Sequence, residues 1–218
     1  MGINIDTSEI QFFLKAAAIN VTRLVNKSID SYNNLLQIDP QSAKEINNEL
    51  GDALEKKGSY DSAIKAYSKV LKVDPNNVEA LFKLGRIYTR LGQTGEALEA
   101  LRKVTVLDAN IPEAFYLLGS VHFALEDNNE AQAAFNKAVK LNPGYADAYY
   151  KLGLIADARN DHDSAITAYQ KTIALKPDFI KAYQSLGFAY EAIGKRDEAV
   201  KYFKKSLEME EKNGSGAT

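Results

Sequence analysis

Two histidines and the acidic residues are the side chains of this chain that could hold a metal ion or transfer a proton. His162 lies between Asp161 and Asp163 in a predicted turn, and His122 lies in a predicted helix. A zinc site needs three or four ligands at suitable spacing, and neither histidine has them. The chain has no cysteine, no glycine-rich phosphate loop and no nucleophile motif. We interpret His122 as a packed core residue and His162 as a surface residue, and we expect no catalytic residue, cofactor or metal.

The charge balance and the hydropathy pattern argue against two classes of partner. The 218 residues include 27 basic and 29 acidic side chains, which gives a net charge of −2 and no basic footprint for a nucleic acid. The most apolar stretch, Phe12 to Val21, contains Lys15 and is much shorter than the roughly 20 residues that a membrane-spanning helix needs. We expect a cytoplasmic protein that binds no nucleic acid and whose membrane contact is peripheral only.

A period of 34 residues organises most of the chain. A glycine, the leucine before it and an alanine farther along all recur at this spacing. The glycines are Gly51, Gly85, Gly119, Gly153 and Gly187, and the alanines are Ala63, Ala97, Ala131, Ala165 and Ala199. A glycine inside a helix costs about 1 kcal/mol relative to alanine. Five glycines at one spacing therefore indicate that two helices approach too closely for a side chain.

This pattern is typical of the tetratricopeptide repeat (TPR), a helix–turn–helix unit that buries its apolar face against neighbouring units. We predict an all-α TPR solenoid, a right-handed superhelix of antiparallel helix pairs. Its repeats span 44–77, 78–111, 112–145, 146–179 and 180–213. The fifteenth residue of a repeat ends the first helix, and these residues are Gly58, Gly92, Glu126, Asn160 and Gly194. Glycine or asparagine at this place favours a left-handed residue that closes the helix.

The repeats predict four segments. They are a degenerate N-terminal helical hairpin (1–43), an N-terminal subdomain of two repeats (44–111), a C-terminal subdomain of three repeats (112–213) and a disordered tail (214–218). The boundary between the subdomains depends on one junction, where Ala109 replaces the usual proline and Pro112 follows. Pro112 fits the first turn of a helix without further consequence. Alternatively, Ala109 and Pro112 mark a hinge between the two subdomains.

The concave side of the predicted solenoid offers a binding surface. Its fifth repeat position is aromatic in three successive units, and other aromatic and basic residues lie nearby. The predicted peptide-binding groove comprises Phe82, Arg86, Arg90, Tyr116, Phe123, Tyr150 and Phe188. Partial burial against the next repeat is the alternative explanation of the aromatic row. Exposed apolar strips generally mark binding sites, and an amphipathic helix or a peptide of another protein is the expected ligand.

The two ends of the solenoid differ in character. Lysine and glutamate predict a solvated outer face for the last helix, whereas the segment 9–42 is apolar. Its residues predicted to drive self-assembly are Phe12, Phe13, Leu14, Ile19 and Leu24. This segment is either an N-terminal cap or a hairpin that docks into the groove of a second copy. In the second case, a chain that begins near Gln41 is expected to be monomeric and folded.

Several stretches resemble the MamA family of magnetosome-associated TPR proteins. They are VDPNNVEALFKLGRIY from Val73, KPDFIKAYQSLGFAYE from Lys176 and RDEAVKYFKKSLE from Arg196. The resemblance implies a non-catalytic scaffold on the cytoplasmic face of the magnetosome membrane, which forms large homo-oligomers and recruits other proteins. It also implies two subdomains and an N-terminal segment that docks into a second copy. The alternative is a generic TPR adaptor, because the fold alone does not set the partner.

Overall fold

The computed structural model describes residues 40–215 and, apart from them, only Lys27, with side chains described up to Lys212. The apolar residues assigned to self-assembly, Phe12, Phe13, Leu14, Ile19 and Leu24, lie outside the described residues. The same holds for nearly all of the predicted hairpin 1–43 and for residues 216–218 of the predicted tail.

All elements in the described part of the chain are α-helices. The chain divides into two units, Met1–Pro75 and Asn76–Thr218. The described part of the first unit holds α1 (Pro40–Lys56) and α2 (Tyr60–Val73). The second unit holds α3 (Val78–Leu91), α4 (Thr94–Leu107), α5 (Pro112–Ala124), α6 (Asn128–Leu141), α7 (Ala146–Ala158), α8 (His162–Leu175), α9 (Ile180–Ala192) and α10 (Arg196–Ser215). Since α10 continues to Ser215, the prediction of disorder from residue 214 is wrong for its first two residues.

Each predicted repeat is one pair of contacting helices. In the second unit, α3 packs on α4, α5 on α6, α7 on α8 and α9 on α10, and α4, α6 and α8 each contact the helix that follows. Within the first unit, α1 packs on α2 in the same way. The predicted all-α TPR architecture is confirmed.

The periodic glycines lie where the two helices of a repeat touch. A Cβ atom built on Gly119 would come within 2.8 Å of Cδ1 of Phe135, and one on Gly85 within 2.7 Å of Cγ of Leu101. The other three glycines face the large side chain at the same repeat position. The close helix approach that the 34-residue period predicts is therefore confirmed, and its cause is a buried ring or leucine.

The first helices also end as predicted. All five residues at the fifteenth repeat position have positive φ, between 59° and 77°. Three of them are glycines, for which this conformation has little cost. Asn160 tolerates it because its short polar side chain can bond locally, whereas Glu126 has no such advantage.

The junction at Ala109 and Pro112 keeps the ordinary turn. Asp108 Oδ1 accepts a hydrogen bond from the backbone N–H of Asn110 at 2.9 Å, as Asn142 Oδ1 does from Gly144 at 3.0 Å. Pro112 is the first residue of α5, where its missing N–H is not needed. The predicted subdomain boundary lies inside the second unit, and relative movement at this junction stays a prediction.

Candidate interaction surface

The aromatic row lies on the first helices of three consecutive repeats. Phe82 is on α3, Tyr116 on α5 and Tyr150 on α7, and each side chain is half-buried. The ring of Tyr116 lies 4.8 Å from that of Tyr145 and 5.7 Å from that of Phe135, measured between centroids. One side of the Tyr116 ring therefore belongs to the packing of its own repeat.

Tyr150 repeats this arrangement one unit later. Its ring lies 4.9 Å from Phe179 and 5.7 Å from Tyr169, and its hydroxyl oxygen is 3.4 Å from Oγ of Ser185. Phe82 likewise packs against the buried cluster that contains Leu101. All three rings thus have a structural role, and their use in binding stays a prediction.

Among the aromatic residues of the predicted groove, Phe188 is the most exposed to solvent. Its side chain is 63% exposed, and its ring meets Phe203 edge-on with the centroids 4.9 Å apart. Phe123 is half-buried, and the ammonium group of Lys151 lies 4.8 Å from its ring centroid. Cation–π contacts of this length are attractive, so Lys151 covers Phe123 and leaves Phe188 as the accessible ring.

Charges of both signs accompany these rings. Burial lowers the pKa of Lys151, and the nearby charge of Lys181 lowers it further, while Asp147 acts in the opposite direction. Burial raises the pKa of Tyr116, and the charge of Asp147 adds to the increase. The surface can therefore contact a ligand through aromatic rings, lysine ammonium groups and a carboxylate at short range.

The basic residues predicted for the groove are both on α3. Arg86 and Arg90 are exposed, and the Arg86 guanidinium carbon lies 5.9 Å from the ring centroid of Phe82. One turn away, Lys83 donates a hydrogen bond of 2.6 Å to Oε1 of Glu79. Arg86 and Arg90 therefore lie on the same helix as Phe82, the first ring of the aromatic row.

Both histidines have structural partners. His122 is buried, and its Nδ1 lies 3.2 Å from Oδ2 of Asp127. His162 begins α8 and is half-buried rather than on the surface, with its Nδ1 3.1 Å from Oδ1 of Asp157. No group of three or more histidine, cysteine or acidic side chains in residues 40–212 is arranged to hold a metal ion. The interpretation of His122 as a packed core residue is confirmed.

Two surface grooves, each between the two helices of one repeat, were not predicted from the sequence. One, of about 550 Å³, runs between α7 and α8 beside Tyr149, Asp163 and Lys171. The other, of about 610 Å³, runs between α9 and α10 beside Tyr183 and Lys205. The signal that could have revealed them is the lysine that recurs at one position of the second helix, as in Lys137, Lys171 and Lys205. In two of these units it lies near a ring of the first helix, with Lys137 5.7 Å from Phe115 and Lys171 5.9 Å from Tyr149.

Comparison with known families and structures agrees with this geometry. Family models described as "TPR repeat" match residues 51–92 and 85–126, and models described as "Tetratricopeptide repeat" match residues 116–178 and 180–213. A crystal structure of MamA is 56% identical over 76% of this chain and 96% of its own, with a TM-score of 0.72. The chain belongs to the MamA family of tetratricopeptide repeat proteins.

Further solved structures support membership of the MamA family. A second MamA crystal structure is 52% identical, covers 82% of this chain and 97% of its own, and has a TM-score of 0.74. MamA 41-end from Desulfovibrio magneticus RS-1 is 27% identical, covers 78% and 96%, and has a TM-score of 0.73. No curated protein matches the chain significantly. As a MamA-family TPR protein, the chain is a protein-interaction scaffold and not an enzyme.

Proposed function

We propose that this chain is a self-assembling scaffold on the cytoplasmic face of the magnetosome membrane, where it recruits other proteins. The observation that carries the proposal is 56% identity to MamA over nearly the whole of that chain. This identity extends far beyond the glycine, leucine and alanine positions that all TPR units share. No helix in the described part of the chain is long and apolar enough to cross a membrane.

The surface for recruitment is the row of first helices in the second unit. Phe188 supplies an exposed ring, and Tyr116 and Tyr150 supply half-buried rings. An amphipathic helix or an extended peptide can place apolar side chains on such rings and carboxylates near Lys151. The groove therefore suits the apolar segment 9–42 of a second copy as well as a segment of another protein.

Self-assembly through segment 9–42 is tested by measuring particle mass. Light scattering of the full chain at tens of micromolar is expected to show large homo-oligomers. A chain that begins at Gln41 lacks the docking segment and is expected to lose them while keeping its helical circular dichroism. A monomeric full chain would contradict the proposal and would favour a generic adaptor that binds one peptide of another protein.

Use of the groove is tested with a peptide that comprises residues 9–42. Phe188→Ala removes the exposed ring and is expected to weaken binding of this peptide to the chain that begins at Gln41 by at least tenfold. Val106→Ala is the matched control, because Val106 is an exposed apolar residue on the second helix α4. Equal binding by the two variants would exclude Phe188 from the site.

A further inference from the structure

The charge on one side of the first helices changes sign in the last repeat. The second residue of the repeat is acidic in three consecutive repeats of the second unit, as Glu79, Glu113 and Asp147, and it is Lys181 in the last one. Lys181 is exposed and precedes Phe188 by seven residues, so both lie on the same side of α9. The exposed Phe188 ring therefore shares its helix face with a cation where the earlier first helices carry an anion.

Lys151, on the preceding first helix, has no acidic partner. It follows Asp147 by four residues, as Lys83 follows Glu79. Lys83 donates a hydrogen bond of 2.6 Å to Glu79, whereas Lys151 makes no ion pair or hydrogen bond in the described part of the chain. Its ammonium group lies over Phe123 instead, 4.8 Å from the ring centroid. The three N–H donors of this group are thus available to a ligand.

Contacts of Tyr150 place the two lysines near each other. The Tyr150 ring lies 4.9 Å from that of Phe179, measured between centroids, and its hydroxyl oxygen lies 3.4 Å from Oγ of Ser185. Lys181 lies between Phe179 and Ser185 in the sequence, and Lys151 directly follows Tyr150. The first turn of α9, which carries Lys181, therefore lies beside the part of α7 that carries Lys151.

The two ammonium groups act on each other electrostatically. Burial lowers the pKa of Lys151, and the charge of Lys181 lowers it further, as expected for like charges at short range. An anion between the two groups would accept charge-assisted hydrogen bonds and relieve this repulsion. The nearby charge of Asp147 opposes a second negative charge at the same place. A carboxylate, with one negative charge, therefore suits the site better than a doubly charged phosphate.

We propose that Lys151 and Lys181 bind the carboxylate of an acidic side chain in a segment of another protein, while an apolar side chain of the same segment lies on Phe188. The segment is acidic because two cations without an acidic partner in the described part of the chain face it. It belongs to a protein because an exposed ring shares the surface with these cations. This subsite rests on the recruitment function proposed above and specifies the class of segment recruited, one in which aspartate or glutamate lies close to leucine-like residues.

A matched pair of peptides tests the subsite in the full chain. One labelled peptide consists of leucine and glutamate, and its sister has glutamine in place of every glutamate. Fluorescence anisotropy is expected to show about tenfold tighter binding of the glutamate peptide, because hydrogen bonds to charged groups are stronger than those to neutral ones. The preference should decrease as the salt concentration rises.

Lysine variants assign this preference to the subsite. Lys151→Gln and Lys181→Gln are each expected to reduce it several-fold, and the double variant is expected to abolish it with little change in binding of the glutamine peptide. Lys181→Arg keeps the charge and should retain the preference. Lys137→Gln is the matched control, because Lys137 also lies near a ring, 5.7 Å from the centroid of Phe115, but on the second helix α6. This control should leave the preference unchanged.

Phe188→Ala distinguishes failure of the subsite from failure of the proposed recruitment surface. It removes the ring and leaves both lysines, so it is expected to weaken the two peptides equally. If Phe188→Ala has no effect while the lysine variants lose the preference, the carboxylate subsite stands and the role of Phe188 in recruitment fails.

Other results would overturn the subsite. They are absence of binding by the glutamate peptide, equal binding of the two peptides, and an equal loss of preference in Lys137→Gln. Without a peptide preference, loss of binding to phosphatidylglycerol vesicles in the double variant Lys151→Gln with Lys181→Gln would assign the lysines to a lipid surface. A smaller particle mass of that variant in light scattering, again without a peptide preference, would assign them to a contact between copies of the chain.

Discussion

The hydroxyl group of Tyr169 donates a hydrogen bond of 2.7 Å to Oδ2 of Asp157, and it does so from a ring that lies against Gly153. Asp157 is on the first helix of the repeat and Tyr169 on the second, so the bond joins the two helices of one repeat. Tyr67, the counterpart of Tyr169 in the first repeat, also bonds to the first helix of its repeat, but its main acceptor is Oδ1 of Asp52 at 2.6 Å, one turn before Glu55, the counterpart of Asp157. The Tyr169 ring, which leaves no room for a side chain at Gly153, therefore also carries the hydroxyl group that bonds to the first helix.

Removing this hydroxyl is expected to lower stability. Tyr169→Phe loses a hydrogen bond to a charged acceptor and should reduce the free energy of unfolding by about 1.5–3 kcal/mol at pH 8. Urea unfolding measures the change. Tyr149→Phe is the control, because the Tyr149 hydroxyl makes no hydrogen bond within the described residues, and this variant should be near neutral.

The same bond predicts a dependence on pH. Burial raises the pKa of Tyr169 above its usual value of 10.0, and the hydrogen bond with Asp157 raises it further. A raised pKa in the folded state gives a stability contribution that is complete below about pH 10 and is lost as pH rises toward the folded value. The stability difference between the natural chain and Tyr169→Phe should therefore shrink from pH 8 to pH 11. A difference that grows over this range would contradict the assignment.

Two glycine-to-alanine substitutions should change the free energy of unfolding in opposite directions. Gly119→Ala places a Cβ atom 2.8 Å from the Phe135 ring and 3.1 Å from the carbonyl oxygen of Ala131, and overpacking of this kind costs about 1–3 kcal/mol. Gly95→Ala, in the first turn of α4, meets nothing within 4 Å and should add up to about 1 kcal/mol. Thermal unfolding followed by circular dichroism compares them. A stabilised Gly119→Ala would refute the close-packing explanation of the period.

A left-handed glutamate offers a stabilising change. Glu126 has φ of 61°, which costs a residue with a Cβ atom about 1–2 kcal/mol. Glu126→Gly should therefore raise the free energy of unfolding by about 1 kcal/mol. Glu130→Gly, at an exposed position inside α6, should lower it by a similar amount. Denaturant titration of both variants checks the prediction, which fails if the two changes have the same sign.

Much of the fold can be predicted from the 34-residue period, because the same helix ends and the same helix–helix contacts recur in each repeat. The Phe135 ring leaves no room for a Cβ atom at position 119, and the left-handed backbone at position 92 favours glycine. Exposure of Val200 could not be predicted in this way. Val200 and Ile166 are similar apolar residues at one repeat position, and only the presence or absence of a covering helix distinguishes their exposure.

The predicted binding surface was less accurate than the fold for a related reason. The row of Phe82, Tyr116 and Tyr150 suggested exposed rings, but Tyr145 and Phe179 also recur 34 residues apart and cover one side of Tyr116 and Tyr150. Reading both positions together would have indicated packing. Phe188 escapes this arrangement because it lies at another repeat position.

Movement at the junction of Ala109 and Pro112 stays a prediction that independent structures can test. Without proline at position 109 the turn keeps one more flexible residue, so the predicted subdomains 44–111 and 112–213 are expected to change their relative angle between crystal forms. Ala109→Pro should reduce the rotation, since proline removes backbone freedom at this turn. Superposition of two independent structures measures the angle. A rotation no larger than at the Asn142–Pro143 junction would leave Pro112 as an ordinary first-turn residue.

The two roles of Tyr116 predict a mixed outcome when its ring is removed. Tyr116→Ala deletes contacts with Phe135 and Tyr145 and should lower stability by about 3 kcal/mol or more, in addition to weakening a groove ligand. Tyr116→Phe keeps the ring and its packing, so it should preserve both stability and peptide binding. Phe188→Ala removes a ring that is mostly in solvent and should weaken binding of the peptide 9–42 with a smaller loss of stability. Calorimetric titration and thermal unfolding of the three variants separate the two effects. If Tyr116→Ala lowers stability but leaves binding intact, the row is core packing and the ligand contacts lie elsewhere on the first helices.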